Sequence, residues 1–226
     1  MSDRVALVAG AGGVLGRAVA VRLADAGFTV VGIDRNADGL GELPEGVHRV
    51  PGDVTDPAVP KGLVDRIAAE VGAPDVLVNT IGAFVLGDAL SATPDQLRLM
   101  MDVNLGSALW LTQAVAPFMR ERGSGSVVHV SARPAAEPTA GMAAYSLSKA
   151  ALSHLVRVLD LELRPAGIRV NAVAPQLIDT PRNRAFLPAD ALEHAVTPES
   201  VAELIAFLAG DASAPVSGAI LPAYGA

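Results

Sequence analysis

Val5-Ala6-Leu7-Val8-Ala9-Gly10-Ala11-Gly12-Gly13-Val14-Leu15-Gly16-Arg17 is an apolar run that enters a glycine cluster and leaves it as a helical pattern. Glycines let a chain turn sharply and approach a pyrophosphate closely. The helix start that follows offers free N–H groups and the positive end of its dipole. Gly10, Gly12, Gly13, Val14, Leu15 and Gly16 are therefore candidate phosphate-binding positions. A strand-to-helix turn without a ligand would use the same glycines, and the next segment separates the two readings. Thr29-Val30-Val31-Gly32-Ile33-Asp34 reads as a second strand ending in an acid, 18 residues after Gly16. A carboxylate at that separation meets the hydroxyls of an adenosine ribose. Strand, glycines, helix, strand and acid in this order predict a dinucleotide-binding unit.

The same rhythm continues along the chain. Strands are expected near 4–9, 28–34, 47–50, 75–79, 126–131, 168–173 and 217–221, and helices near 14–26, 57–71, 94–121, 143–164 and 197–209. Short apolar runs alternating with helices predict an α/β fold. The expected form is a Rossmann-like, doubly wound parallel sheet of about seven strands with helices on both faces. Thr93-Pro94 and Thr197-Pro198 read as helix starts, threonine as the cap and proline in the first turn. Gly39 to Gly46 reads as a short polar loop. No linker or repeat divides the chain, so residues 1–226 are expected to form a single domain.

Half of the 226 residues are hydrophobic, enough for a sizeable core. The net charge is −7 and there is no basic run, which argues against nucleic acid as a partner. The chain has no cysteine, so disulfides, thiolate catalysis and a cysteine zinc site are excluded. His48, His129, His154 and His194 are scattered, no His/carboxylate cluster has ligand spacing, and no metal is expected. His129 reads as an interior strand residue. A strand begins within four residues of Met1 and no apolar run reaches about 18 residues, so neither a signal peptide nor a membrane span is expected. The expected location is the cytoplasm.

A second constellation lies at Tyr145-Ser146-Leu147-Ser148-Lys149, flanked by the helix formers Ala143, Ala144, Ala150, Ala151 and Leu152. At i,i+4 the phenol and the ammonium share one helical face. A cation beside a phenol favours phenolate, which would lower the Tyr145 pKa and make it a proton donor or acceptor near neutral pH.

With both ends read, the chain resembles the short-chain dehydrogenase/reductase family over nearly its whole length. Gly52-Asp53-Val54-Thr55-Asp56 is similar to the family's adenine-contacting turn, and Val78-Asn79-Thr80-Ile81-Gly82 to its N-N-A-G motif. Asp102-Val103-Asn104-Leu105 resembles the segment that carries the family's structural and catalytic Asn. Arg169-Val170-Asn171-Ala172-Val173-Ala174-Pro175 resembles its sixth strand and the turn after it. The resemblance implies hydride transfer between a nicotinamide and a small carbonyl or quinonoid substrate. Tyr145 would move the proton, Lys149 would lower the Tyr145 pKa and bond the nicotinamide ribose, and Asn104 would hold a water or serve a helix kink. Asp53, Val54, Asn79, Gly82, Pro175, Ile178 and Thr180 would join the glycine turn, Asp34 and Arg35 around the cofactor. Asp34 predicts NAD(H) rather than NADP(H), because it accepts from ribose hydroxyls and repels a 2′-phosphate. Arg35 is the counter-argument, since it could pair with that phosphate. Apolar residues around much of the Leu97–Met119 segment, together with the resemblance, predict a homodimer or homotetramer.

Three departures from the family pattern shape the functional reading. Val14 stands where the family has its middle glycine, and Ala9 where it has Thr. Counting back 13 residues from Tyr145, where the family has a substrate-bonding Ser, gives Ala132. Ser131 would supply the hydroxyl only if the segment 133–144 held one extra residue. The region after Pro175 is short, with Gln176 in place of a common Gly. The last two departures, with Phe84 and Gly141-Met142, resemble the dihydropteridine reductase branch, which reduces a quinonoid dihydropterin with NADH. The alternatives are an ordinary alcohol/ketone (3-oxoacyl-type) enzyme with Ser131 in the active site, and a catalytically impaired dinucleotide-binding or regulatory protein. Arg133 faces either an anionic substrate or solvent.

Overall fold

The fold is described from a computed structural model covering residues 4–188 and 192–225. Seven parallel strands form one sheet: β1 (Val5–Ala9), β2 (Thr29–Asp34), β3 (His48–Pro51), β4 (Pro74–Asn79), β5 (Gly125–Val130), β6 (Ile168–Pro175) and β7 (Ile220–Ala223). Their order across the sheet is β3-β2-β1-β4-β5-β6-β7. The helices are α1 (Val14–Asp25), α2 (Ala37–Gly41), α3 (Val59–Glu70), α4 (Pro94–Met101), α5 (Ser107–Arg122), α6 (Ala143–Leu163), α7 (Pro181–Phe186) and α8 (Pro198–Ala209).

Period-two alternation divides the strands between two cores. Leu7, Leu77 and Val127 pack with Leu63 and Ile67 of α3, Leu111 and Met119 of α5, and Val156 and Leu159 of α6. Ala6, Val8, Val76, Val78 and Val128 pack on the opposite face with Val19 and Leu23 of α1 and Val201, Ile205 and Leu208 of α8. Burial on both faces is why these strands read as continuous apolar runs. A fully buried Val, Leu or Ile contributes about 1.5–3 kcal/mol.

Both threonine–proline helix starts form as expected. Thr93 accepts from Gln96 N in a capping box, and Thr197 accepts from Ser200 N. Three expectations need correction. The helix expected over 94–121 is interrupted by a π-helical turn at Asp102–Gly106, where one extra residue is accommodated around the buried Asn104. The first three residues of the loop expected over Gly39 to Gly46 belong to α2, whose backbone lies on the glycine turn. A Cβ on Gly39 would sit 2.8 Å from the Gly12 oxygen, so glycine at this place serves a close approach. The last strand runs Ile220–Ala223 rather than 217–221. Ser217–Ala219 is used instead to dock on β6, with Gly218 N donating to Val170 O (2.9 Å) and Ala219 N to Asn171 Oδ1 (3.0 Å).

The strand order reverses between β1 and β4, which opens a crevice at their carboxyl ends, the place where doubly wound sheets bind ligands. The segment after β4 meets the glycine turn there. Thr80 donates from both its backbone N (2.9 Å) and its Oγ1 (2.8 Å) to Ala9 O.

Candidate active site

The glycine turn has the shape a pyrophosphate requires. Gly10 sits at φ +83°, and a Cβ there would lie 2.5 Å from Thr80 Oγ1; a Cβ on Gly16 would overlap the Gly10 carbonyl. Gly13 caps α1 without any side-chain bond, which leaves the first-turn N–H groups available to an anion. Val14, the departure from pattern, is 41% exposed and lies with Ala18 and Val21 on the α1 face that lines a surface groove toward α8. Its side chain therefore belongs to the outer face of the helix. Asp34 is held by the turn itself: Oδ2 accepts from Gly12 N (3.0 Å) and Oδ1 from Asn36 N (2.9 Å). Each carboxylate oxygen keeps acceptor capacity for a hydroxyl. Arg35 faces Asp53 at 3.7 Å. Thr55 bonds the Asp53 carboxyl through Oγ1 (2.6 Å) and N (3.0 Å), and with Arg35 these hold its pKa below the usual range. Val54 is 1% exposed and joins the core, so Asp53 alone of that pair stands at the surface. These features fit a dinucleotide.

Tyr145, Lys149 and Asn104 converge on the segment after β4. A Cβ on Gly82 would lie 3.3 Å from both Lys149 Nζ and Asn104 Oδ1, so the missing side chain leaves room beside the ammonium. Asn104 is fully buried. Its Oδ1 accepts from Ala83 N (2.8 Å), and its Nδ2 donates to Ala83 O (3.0 Å) and Ser148 Oγ (2.9 Å). Ser148 passes the link on by donating to Tyr145 O (2.7 Å). From the π-helical turn the Asn104 amide thus reaches across to satisfy both backbone groups of Ala83 and to tie that segment to α6. Asn79 is likewise turned inward, donating to Ser107 Oγ (3.1 Å) and accepting from Ile81 N (3.0 Å). Thr180 caps α7 by accepting from Asn183 N (3.2 Å), Ile178 O accepts from Asn183 Nδ2 (2.8 Å), and Pro175 ends β6.

The electrostatics of the Tyr–Lys pair differ from expectation. Lys149 Nζ donates to Val130 O at 2.7 Å rather than to the phenol. Burial pushes the Tyr145 phenol up to about 12 and the Lys149 ammonium down to about 8. Sharing a helical face does not lower the phenol pKa here, because desolvation raises it. Phe84 packs its ring edge-on against Tyr145, centroids 4.9 Å apart.

Ser131 is not free. Its hydroxyl lies 2.7 Å from Ser153 Oγ and 3.4 Å from Lys149 O, buried against α6. Ala132, in extended conformation, is the next residue toward the crevice. Arg133 is neither free nor purely solvated; it bonds Gln176 and Glu137 and stacks on Tyr224. The sequence marks Gln176 only as a departure from the family pattern, and it gives Thr80, Ser148 and Tyr224 no role of their own. Ser148 alone carried a signal, lying inside the Tyr-x-x-x-Lys stretch. His129 is fully buried with Nε2 3.2 Å from Thr112 Oγ1. Among the described residues no cluster of three or more His, Asp or Glu could hold a metal, and no helix is long and apolar enough to cross a membrane.

A crevice at the reversal of a parallel sheet, floored by a glycine turn, an acid, a half-buried Tyr and a buried Lys, defines a nicotinamide-dependent oxidoreductase. Residues 10–225 match the family described as Enoyl-(Acyl carrier protein) reductase. The chain is 32% identical to 4-formylbenzenesulfonate dehydrogenase of Comamonas testosteroni, over all of this chain and 98% of that protein. It is 33% identical to 3-oxoacyl-[acyl-carrier-protein] reductase of Thermotoga maritima, over 98% of this chain and 96% of that one. A solved 7α-hydroxysteroid dehydrogenase, complexed with NADH and 7-oxo glycochenodeoxycholic acid, superposes with a TM-score of 0.93 at 29% identity, over 98% of this chain and 93% of that one. The chain belongs to the short-chain dehydrogenase/reductase family, whose members use NAD(P).

Proposed function

We propose that the protein is an NADH-dependent reductase of a small, activated carbonyl compound, or the corresponding alcohol dehydrogenase. The observation that carries this reading is the convergence of Lys149 Nζ and Asn104 Oδ1 on Gly82, with Tyr145 on the same helix as Lys149. Two of the relatives are named for a 3-oxoacyl group and an oxo bile acid, which hydride transfer interconverts with alcohols, and a third for the oxidation of an aldehyde.

When bound, the nicotinamide supplies the hydride; the chain supplies proton handling and charge. Burial keeps Tyr145 protonated at neutral pH, so it stands ready as the acid for the developing oxyanion. Lys149 uses one donor on Val130 O and keeps two, enough for a ribose hydroxyl and the phenolate left after proton transfer. NADH is favoured over NADPH because Asp34 is fixed at the glycine turn, where its carboxylate would repel a 2′-phosphate. With Ser131 committed to Ser153, Tyr145 is left as the hydroxyl serving the substrate oxygen. That favours an electrophilic substrate and keeps a quinonoid dihydropterin as the second reading.

The test is NADH and NADPH oxidation followed optically with an aromatic aldehyde, a β-ketoester, a diketone and a quinonoid dihydropterin. Turnover of a carbonyl substrate with NADH is expected. Turnover of the pterin alone would install the second reading, and binding of NADH with no turnover of any substrate would leave a dinucleotide-binding protein.

A further inference from the structure

Arg133 leaves β5 one residue past Ala132, in a 3₁₀ turn (Arg133–Ala135) that packs against the Tyr145 helix. Three groups fix its guanidinium. Nε donates to Glu137 Oε2 (2.7 Å), Nη1 donates to Gln176 Oε1 (2.6 Å), and Cζ lies 4.8 Å from the centroid of the Tyr224 ring. Gln176 follows β6 and Tyr224 follows β7, and Gln176 N donates to Ala223 O (3.1 Å). A planar cation is therefore clamped at the carboxyl ends of three neighbouring strands, the edge of the sheet where the reaction centre lies. Two of its three partners are neutral. The third, Glu137, has a side chain 52% exposed, and Arg133 Nη2 makes no hydrogen bond among the described residues.

The other border of the site is apolar. Phe84 and Leu86 are 46% and 51% exposed on the segment after β4. That segment is fastened to the start of α6 by Gly87 N donating to Gly141 O (2.8 Å) and Ala143 N donating to Gly87 O (3.3 Å). Phe84 thereby stands against Tyr145, while Arg133 emerges next to Ala132. A rigid guanidinium with a free edge recognises carboxylates and sulfonates bidentately, in a way a mobile surface cation does not.

We propose that Arg133 is a specificity-determining residue that receives an oxyanion of the substrate. The substrate is then an apolar or aromatic carbonyl compound bearing a carboxylate or sulfonate, its ring or chain along Phe84 and Leu86. This rests on the carbonyl-reductase reading above. The competing role of Arg133 is a tether that holds Tyr224 and the end of β6 together.

The experiment pairs 4-formylbenzoate with its neutral counterpart 4-formylbenzamide in NADH oxidation by wild type, Arg133→Gln and Arg133→Lys. Wild type should prefer the carboxylate. Arg133→Gln should lower kcat/KM for the carboxylate about 10–100-fold more than for the amide, mainly through KM, the range expected for a lost charge-assisted hydrogen bond. Arg133→Lys should recover part of that discrimination. Equal losses on both aldehydes, or no preference in wild type, overturn the proposal in favour of the tether. Calorimetric titration of benzoate and benzamide into the enzyme–NADH complex reads anion recognition without turnover. If neither aldehyde is reduced yet benzoate binds more tightly than benzamide and Arg133→Gln abolishes the difference, the anion site stands and the carbonyl reading falls. If benzoate and benzamide bind alike, the anion site falls.

Discussion

Lowering the pH should destabilise this protein through one residue, His129. It lies on β5 opposite Asn79 of β4, 0% exposed, with Nε2 bonded to Thr112 and Nδ1 without a partner among the described residues. Burial first, and the nearby Lys149 charge second, push its pKa from 6.5 down to about 3. Its folded pKa is depressed, so between these values the unfolded chain binds a proton that the folded chain refuses. The stabilisation is fully present above pH 6.5 and is lost as pH falls toward 3, with a limiting slope of about 1.4 kcal/mol per pH unit. Pure linkage at pH 5, 1.5 units below 6.5, gives a loss of about 2 kcal/mol relative to pH 8. The carboxyls with depressed pKa values, Asp53 and Asp179, start from 3.8, so their contributions fade at lower pH. Urea unfolding of wild type and His129→Gln at pH 8, 7, 6 and 5 isolates the effect. The other three histidines are common to both chains and cancel in the difference. Wild type should lose about 2 kcal/mol more than the variant between pH 8 and 5. Parallel stability–pH curves for the two proteins would refute the argument.

Tyr145→Phe should cut turnover by about 10²–10⁴-fold while leaving the Kd for NADH within about twofold, read by stopped-flow kinetics and fluorescence titration, since the hydroxyl serves the substrate. Ser131→Ala should cost about 1 kcal/mol of stability through the lost Ser153 bond and leave kcat within about threefold; a loss of about 100-fold would show that this hydroxyl reaches the substrate after all. Gly16→Ala should abolish NADH binding, because the new methyl overlaps the Gly10 carbonyl and the turn must open. Light scattering at micromolar concentration should give a multiple of 23.0 kDa, because Leu97, Leu99, Leu147 and Leu161 leave apolar surface outside both cores.

The strands and the glycine turn were legible because each is encoded locally: a fully apolar run needs burial on both faces, and clustered glycines need a tight turn. Where the sequence misled, the determinant was another part of the chain. Gly39 and Gly41 lower helix propensity, yet α2 forms because its backbone must lie on Gly12. The π-helical turn leaves no periodic trace, but Asn104, polar between Val103 and Leu105, marks where it falls. The i,i+4 spacing placed Tyr145 and Lys149 on one face correctly. It carried no information on the burial that moves both pKa values, or on Val130 O as the partner of the ammonium.

The sequence reading places Ala9 and Ala132 where the family has hydroxyls, and the surroundings of the two positions differ. Beside Ala9, the residue just past β4 supplies a hydroxyl: Thr80 Oγ1 bonds the Ala9 carbonyl and joins the ends of β1 and β4 beneath the glycine turn. At Ala132 no such substitution is made. Ser131 is paired with Ser153, and Arg133 is clamped by Gln176, Glu137 and Tyr224. On the reductase reading, the substrate oxygen then relies on Tyr145 and forgoes a hydrogen bond worth about 2.7–4 kcal/mol of transition-state stabilisation. A simple ketone has no means of recovering that loss. A substrate whose carbonyl is already electron-poor lowers the demand, and one anchored at a second point by an anion gains orientation that is already present in the ground state. The missing hydroxyl and the rigid Arg133 beside it are thus two sides of one specificity: weaker help at the oxygen, and tighter control of where that oxygen lies.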